Sequence, residues 1–333
     1  MQSLTITLKR LRYGLAASPE VVALITFLAV FVFFSVTADN FLTPGAISNI
    51  LTFASIQGII VVGMAMLMIA GEMDLSVGSN LAVASFVFAL TMNAGAAPLP
   101  AMLLALLIST LLGAVNGLIV TSSGIPSFIT TLGTMLAYRG IARAIGSGTF
   151  AKYTETRPPL FSILNGAIDS LNQLFEPASN FRVSIFWFIL IAFVMTMVLM
   201  RTRFGNWVFA VGGNEGAALA QGVPVKRVKL VVFALTGLFT GIASVMQFAH
   251  RTSVDPLRGE GWEMIAVAAS VIGGVQLTGG VGTILGASMG ILLLQTLEQG
   301  LVLMGVPVQI FRAVAGSILM LSVIGNTYLS RQG

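Results

Sequence analysis

From Val21 onward the sequence returns again and again to apolar runs of about 17 to 25 residues, each long enough to carry a helix across the roughly 30 Å of bilayer hydrocarbon. The runs are continuously apolar and show no period of two, so helices rather than the tilted strands of a barrel are expected. Apolar residues make up 56% of the chain and charged residues 9%, which excludes an ordinary soluble enzyme. The expected fold class is an all-α polytopic membrane protein, read as a single transmembrane domain over residues 1–333.

Reading runs between breaks gives about ten spans, some of them open to interruption: 21–36, 47–70, 75–92, 99–120, 127–145, 184–200, 230–249, 264–277, 282–301 and 308–324. Breaks fall where helices end at little cost, at Pro44, Pro98, Pro100, Pro126, Pro256 and Pro307. The first run also admits a secretory signal cut after Ala38, but the spans that follow at once favour an uncleaved first span. An even number of spans puts both termini on one side. Lys9, Arg10, Arg12, Arg201, Arg203, Lys226, Arg227, Lys229 and Arg331 then share that side, which short loops rich in Lys and Arg mark as cytoplasmic. Residues 201–229 become a basic cytoplasmic platform. Residues 146–183 become the main extracytoplasmic loop, with a short interfacial helix expected around 163–175.

The segment GEMDLSVGSN, residues 71–80, places two acids between apolar runs. Either Asp74 or Ser76 caps the following helix, or the helix is broken at a conduit, and the two readings are compatible. Polar residues inside spans, among them Gln57, Ser79, Asn80, Asn116, Thr130, Thr131, Gln247 and Gln295, are candidates for the lining of a translocation path. Each singly also suits an interhelical hydrogen bond. Arg139 and Arg143 share one helix face, and Glu298 with Arg312 is read as a buried pair. Gly282, Gly286 and Gly290 recur every four residues, as do Gly113/Gly117 and Gly237/Gly241, a spacing that lets helices approach closely.

Several chemistries drop out. The chain has no Cys and one His, His250, so no thiolate or multi-histidine metal site can be drawn. The formal charge of +5 is scattered and accompanies no nucleic-acid motif. The run GVGTILG lacks the strand and βαβ frame of a dinucleotide site. No segment fits a P-loop, so no cofactor is expected in this chain and any ATP must be bound by a partner. No serine–base pair or metal cluster suggests an intramembrane enzyme, and no catalytic residue is assigned.

Glu215, Ala217, Ala218 and Gly222 form E-x-A-A-x-x-x-G, which resembles the cytoplasmic EAA-type loop of ATP-binding-cassette importer permeases. Together with GEMDLSVGS, PSFITTLGTMLAYRGIA, FAVGGNEGAALAQGV and AVAASVIGGVQLTGGVGTILGA, in that order, the chain resembles permeases of the ribose-type carbohydrate uptake family over nearly its whole length. The resemblance implies a multi-pass permease of the bacterial inner membrane that moves a sugar or similar small polar solute by alternating access. It implies a second permease subunit, ABC ATPase subunits that bind ATP, and an extracytoplasmic solute-binding protein. Glu215, Ala217, Ala218 and Gly222 would then be the ATPase-coupling helix and its end. Arg157, Arg182, Arg251 and Arg258 are candidate docking charges for the binding protein. The rival reading is an ion-coupled carrier, which would account for Glu72, Asp74 and Glu298 and needs no docking loop.

Overall fold

The computed structural model describes residues 19–175, 179–307, 310, 311, 313–317 and 320, and they are mostly helical. The first half carries α1 (Pro19–Thr37), α2 (Pro44–Ile69), α3 (Val77–Asn93), α4 (Pro98–Ser123) and α5 (Ser127–Ile145). Two short helices follow, α6 (Pro159–Asn165) and α7 (Asp169–Leu174), then α8 (Ser184–Arg201), α9 (Arg203–Gly213) and α10 (Glu215–Ala220). The chain continues as α11 (Val225–Arg251), α12 (Trp262–Ile272) and α13 (Ile284–Leu303). Strand β1 (Ala151–Lys152) pairs antiparallel with β2 (Ser253–Val254) and ties two loops together. Helix starts fall where the sequence supplies them. Pro44 and Pro98 occupy first-turn positions, where a missing N–H costs nothing, and the Thr43 hydroxyl accepts from the Ala46 amide at 3.3 Å.

The long helices alternate in direction, which gives the body two ends. Gly113 meets Gly237 while Gly117 meets Leu230, so α4 and α11 are antiparallel. Ile69, at the tail of α2, touches Gly212 and Gly280, so α2 ends beside residues 201–229; this is the platform end. At the opposite end Asn93 donates to the Lys152 carbonyl, and Asn165 of α6 donates to Met246 of α11. Helix α2 is the axis of the packing and buries most of its length, with Ile59, Met64, Leu67 and Ile69 all fully enclosed. Around it α1, α4 and α8 turn Leu28, Val32, Leu103, Leu107, Phe186 and Ile189 outward. An outward apolar belt of this kind is stable only against lipid or another apolar surface.

Among the described residues six helices are long and apolar enough to cross a membrane: α1, α2, α4, α8, α11 and α13. Helices α3 and α12 are shorter apolar helices, and most of the expected span 308–324 lies outside the described residues. The expected span 264–277 is not one helix. Helix α12 stops after 11 residues, about 16 Å of rise at 1.5 Å per residue, too little to cross alone. The chain turns at Gly273 and at Gly274, where φ is 90°, because the Gly273 backbone must lie flat on α13: a Cβ there would strike the Gly286 carbonyl. Gly286 and Gly290 are in turn pressed against the carbonyls of Gly273 and Ala269. Gly282 belongs to a different device. It precedes the cap residue Thr283 rather than sitting in α13, with φ 149° and Val275 against its backbone.

The interfacial helix expected near 163–175 is two pieces. Gly166, packed on the Ser162 carbonyl, ends α6, and the amides of Ile168 and Val183 close a turn to Phe181 and Gly166. Helix α6 is sunk into the body through Phe161, Leu164 and Asn165, whereas α7 has no buried residue. The platform is likewise not an open loop. Thr202 breaks α8 and caps α9, accepting from the Gly205 amide at 3.2 Å, and α9 buries Val208 and Val211 on one face.

Candidate functional site

At the platform end α10 is built by local chemistry. Asn214 accepts from the Ala217 amide at 2.9 Å to open the helix. The close is a left-handed Gly222 with φ 83°, the Val223 amide reaching back to the Ala218 carbonyl at 3.0 Å and the Gly222 amide to Leu219 at 3.0 Å. That paired return is how a glycine terminates a helix, and a side chain at this φ would be strained. Ala218 is buried against the body, while Ala217 and Leu219 face out.

Glu215 is not free to reach outward. Its carboxylate lies 2.7 Å from Lys229 Nζ, and the same ammonium lies 2.7 Å from Glu72 in the segment between α2 and α3. Lys229 therefore clasps three elements: α10, its own α11, and the α2–α3 link. Glu72 is the enclosed member, with 9% of its side chain exposed against 57% for Glu215. The sequence reading named Lys229 only as a flanking base. Lys229 is the innermost of the three bases Lys226, Arg227 and Lys229 at the start of an apolar helix, and the base that enters deepest is the one that requires a partner.

The link itself is ordered by Asp74. One carboxylate oxygen accepts from the Ser76 amide at 2.8 Å and the Ser76 hydroxyl at 2.6 Å, while Asn116 of α4 donates to both carboxylate oxygens at 3.1 and 3.2 Å. Tyr138 of α5 donates to the Asn116 side-chain oxygen at 3.2 Å and to the Leu112 carbonyl at 3.0 Å. The segment is thus a break in which Asp74 holds the N-cap residue Ser76, while Ser76 itself makes no side-chain cap to an amide of α3. Asp74 anchors the start of α3, and α2 and α3 are separate bodies joined by polar contacts. Met73 donates to Ser127 at 3.1 Å, and Thr131 donates to the Ser127 carbonyl at 2.8 Å, which seats the start of α5 on the link.

The remaining polar candidates on α3 stitch helices. Ser79 donates to the Ser76 carbonyl at 2.8 Å. Asn80 exchanges hydrogen bonds with Ser109 of α4 at 2.9 and 3.0 Å, and Ser109 also donates to the Gly237 carbonyl of α11 at 2.7 Å. Ser109, unremarked in the sequence, stands four residues before Gly113 and extends its small-residue stripe. Asp74, Ser76, Ser79, Asn80, Asn116 and Thr131 are all fully enclosed, and Thr130 has a buried hydroxyl without a partner. Halfway along the body, the starts of α3 and α12 abut: a Cβ on Gly78 would strike both the Gly259 carbonyl and the Glu263 carboxylate. Arg139 holds the strap into α12, donating to the Pro256 and Arg258 carbonyls at 2.8 and 2.9 Å.

Toward the opposite end a cavity of about 340 Å³ lies between α2, α11, α12 and α13. Gln57, Gln247 and Gln295 line it, with His250, Arg251 and Arg258 toward its mouth. Gln295 donates to Gln57 at 3.2 Å and to Glu298 at 3.0 Å; Arg312, expected beside Glu298, lies outside the described residues. Arg157, Arg182 and Arg251 gather near this mouth. Burial, together with the charges of Arg157 and Arg251, lowers the pKa of Arg182 from its ordinary value. Two of the four candidate docking arginines are already engaged. Arg182 donates to Asn180 at 2.8 Å and to the Asn165 carbonyl at 3.0 Å, and Arg258 pairs with Asp255 at 2.9 Å, while Arg157 and Arg251 are exposed.

Six long apolar helices around a buried axis, a short helix α12 whose start abuts that of α3, and buried polar contacts at the break between α2 and α3 define a multi-pass membrane protein of the kind that carries solutes. Comparison with known proteins gives the family. The model of the branched-chain amino acid transport system permease component matches residues 46–323, and the chain belongs to this family. It is 34% identical to the L-arabinose ABC transporter permease protein AraH of Azospirillum brasilense over 92% of this chain and 87% of that one. It is 34% identical to the ribose import permease protein RbsC of Bacillus subtilis over 87% of each chain. It is 33% identical to the xylose transport system permease protein XylH of Escherichia coli over 89% of this chain and 88% of that one. No solved structure matches.

Proposed function

We propose that the chain is one of two permease subunits of an ATP-driven importer for a monosaccharide or similar small polar solute, passing it inward by alternating access. Relatives named for arabinose, ribose and xylose support a sugar as the solute. A separate ABC ATPase binds and hydrolyses ATP at the platform end, which is cytoplasmic along with both termini. A solute-binding protein delivers at the opposite end, where the exposed Arg157 and Arg251 are its charge partners. Six helices long and apolar enough to span, with α3, α5 and the shorter α12 packed among them, make up the membrane body of this scheme among the described residues.

The observation that carries the coupling is the double ion pair of Lys229. The face of α10 bearing Ala217 and Leu219 sits in the ATPase cleft, and Gly222 fixes its end. Motion of α10 pulls Lys229 through Glu215 and reaches Glu72, at the foot of the break between α2 and α3. Asp74, Ser76, Asn116 and Thr131 then act as the hinge that lets α3 move relative to α2, rather than as solute contacts. No bond of the solute is broken in this scheme, so no catalytic residue is needed.

The test is co-purification. Gly222→Val, at φ 83°, should release the ATPase while leaving membrane insertion intact, and Glu215→Gln should keep the ATPase bound but lower ATP-driven uptake. Wild-type ATPase retention by Gly222→Val rules out the docking role of α10. Uptake that survives ATP depletion and collapses with an uncoupler restores the ion-coupled carrier.

A further inference from the structure

The cavity between α2, α11, α12 and α13 has a wall chemistry that the coupling machinery does not require. We propose that it is a binding subsite for a single neutral monosaccharide, held within one permease chain toward the end opposite the platform.

Size is the first argument. A space of about 340 Å³ falls at the small end of the roughly 300–1,000 Å³ typical of small-molecule sites. At about 30 Å³ per water it has room for roughly ten water-sized groups, which suits one sugar ring and not two.

Wall chemistry is the second. Asn49, Gln57, Gln247, Gln295 and Gln299 all contribute to the lining, and each carboxamide both donates and accepts without carrying charge. Sugar hydroxyls have the same dual character. A site for an inorganic cation would need converging carboxylates, and a site for an anion would need uncommitted guanidinium groups. Here the lining holds one carboxylate, Glu298, which takes a hydrogen bond from Gln295, and two guanidinium groups, Arg251, which is exposed, and Arg258, whose Nη2 is paired with Asp255 at 2.9 Å, so neither sign of charge converges on the space. Trp262, Phe53 and Ile50 supply flat apolar wall, against which the C–H face of a sugar ring can lie.

Preorganisation is the third. Gln295 is fixed by its hydrogen bonds to Gln57 and Glu298, so two of the amides are aimed before any ligand arrives. Two other lining groups are buried with unmet capacity: Gln247 Oε1, an acceptor, and Arg258 Nε, a donor. Leaving such atoms unpaired is costly, and a ligand bearing several hydroxyls satisfies both kinds.

The proposal rests on the importer reading only for the choice of probe. The chain has no native Cys, so Gln247→Cys gives it a single thiol on the cavity wall. In the permease–ATPase complex in nanodiscs, the rate of modification of that thiol by N-ethylmaleimide is followed by intact mass. D-Ribose, L-arabinose, D-xylose and D-galactose are added at millimolar concentration, with betaine and galacturonate as controls. At least one neutral sugar should slow modification five-fold or more, and Trp262→Ala in the same background should abolish the protection. Rates unchanged by all four sugars overturn the proposal. So does equal slowing by betaine or galacturonate, and so does protection that survives Trp262→Ala. Should Gln247→Cys resist modification altogether, Gln299→Cys offers a second position, and resistance at both shows the cavity closed and the proposal wrong. Sugar protection intact together with wild-type ATPase retention by Gly222→Val would refute the coupling scheme alone, and absent protection with the ATPase released by that variant would refute the subsite alone.

Discussion

Replacing Lys229 by Met isolates the energetic asymmetry of the clasp. The substitution keeps most of the aliphatic length and removes the ammonium that lies 2.7 Å from each carboxylate. Glu215 is 57% exposed and can rehydrate, so its share of the loss is under about 1 kcal/mol. Glu72 is only 9% exposed and cannot. Removing one partner of an enclosed ion pair costs about 3–5 kcal/mol, most of it the isolated charge left behind. Lys229→Met should therefore lower the unfolding temperature of the detergent-solubilised permease by several degrees, with Glu72 responsible. Adding Glu72→Gln should recover most of the loss, because an amide needs no counter-ion, whereas adding Glu215→Gln should recover almost none. The double variant Lys229→Met/Glu72→Gln should be stable yet poor in ATP-driven uptake. A single variant as stable as the wild type, or an equal rescue by Glu215→Gln, would refute the argument.

Three further outcomes follow from the packing and the surface. Gly286→Ala places a methyl into the Gly273 carbonyl and should destabilise by about 1–3 kcal/mol; Gly140→Ala, which meets nothing within 4 Å, should not, and thermal unfolding of the pair decides it. Asn116→Ala strips both Asp74 oxygens of a donor and should cost about 1–3 kcal/mol, while Asn116→Asp should be worse because it sets two carboxylates together. Arg157→Glu should weaken capture of the binding protein at low salt, and the difference from wild type should shrink as salt rises; a salt-independent change would remove Arg157 from the docking surface.

The apolar periodicity makes the helical, multi-pass architecture legible from sequence, because span length is a one-dimensional requirement of the bilayer. Turn chemistry is equally local: two alanines followed by Gly222 mark a short helix and its end, and the structure builds α10 there with a left-handed stop at Gly222, adding an Asn214 cap that the sequence analysis did not single out. What the sequence leaves open are relations between distant residues. The stretch 264–277 is apolar enough to span, yet it stops at Ile272 because Gly273 must lie against Gly286, a contact no local pattern encodes. Asp74 was readable as a cap or as a conduit group, and only the arrival of Asn116 from α4 and Tyr138 from α5 resolves how its charge is accommodated.

The sequence by itself determined that this protein lives in a membrane, where its helices can begin and end, and which short alanine-bearing helix stands at the platform. Tertiary structure alone decided that Lys229 binds Glu215 and Glu72 at once, and that five amides and a tryptophan share one cavity. The physical reason is range. Helix formation and termination are settled within a few residues by backbone hydrogen bonding, whereas ion pairs and cavities depend on how helices far apart in the chain are brought together.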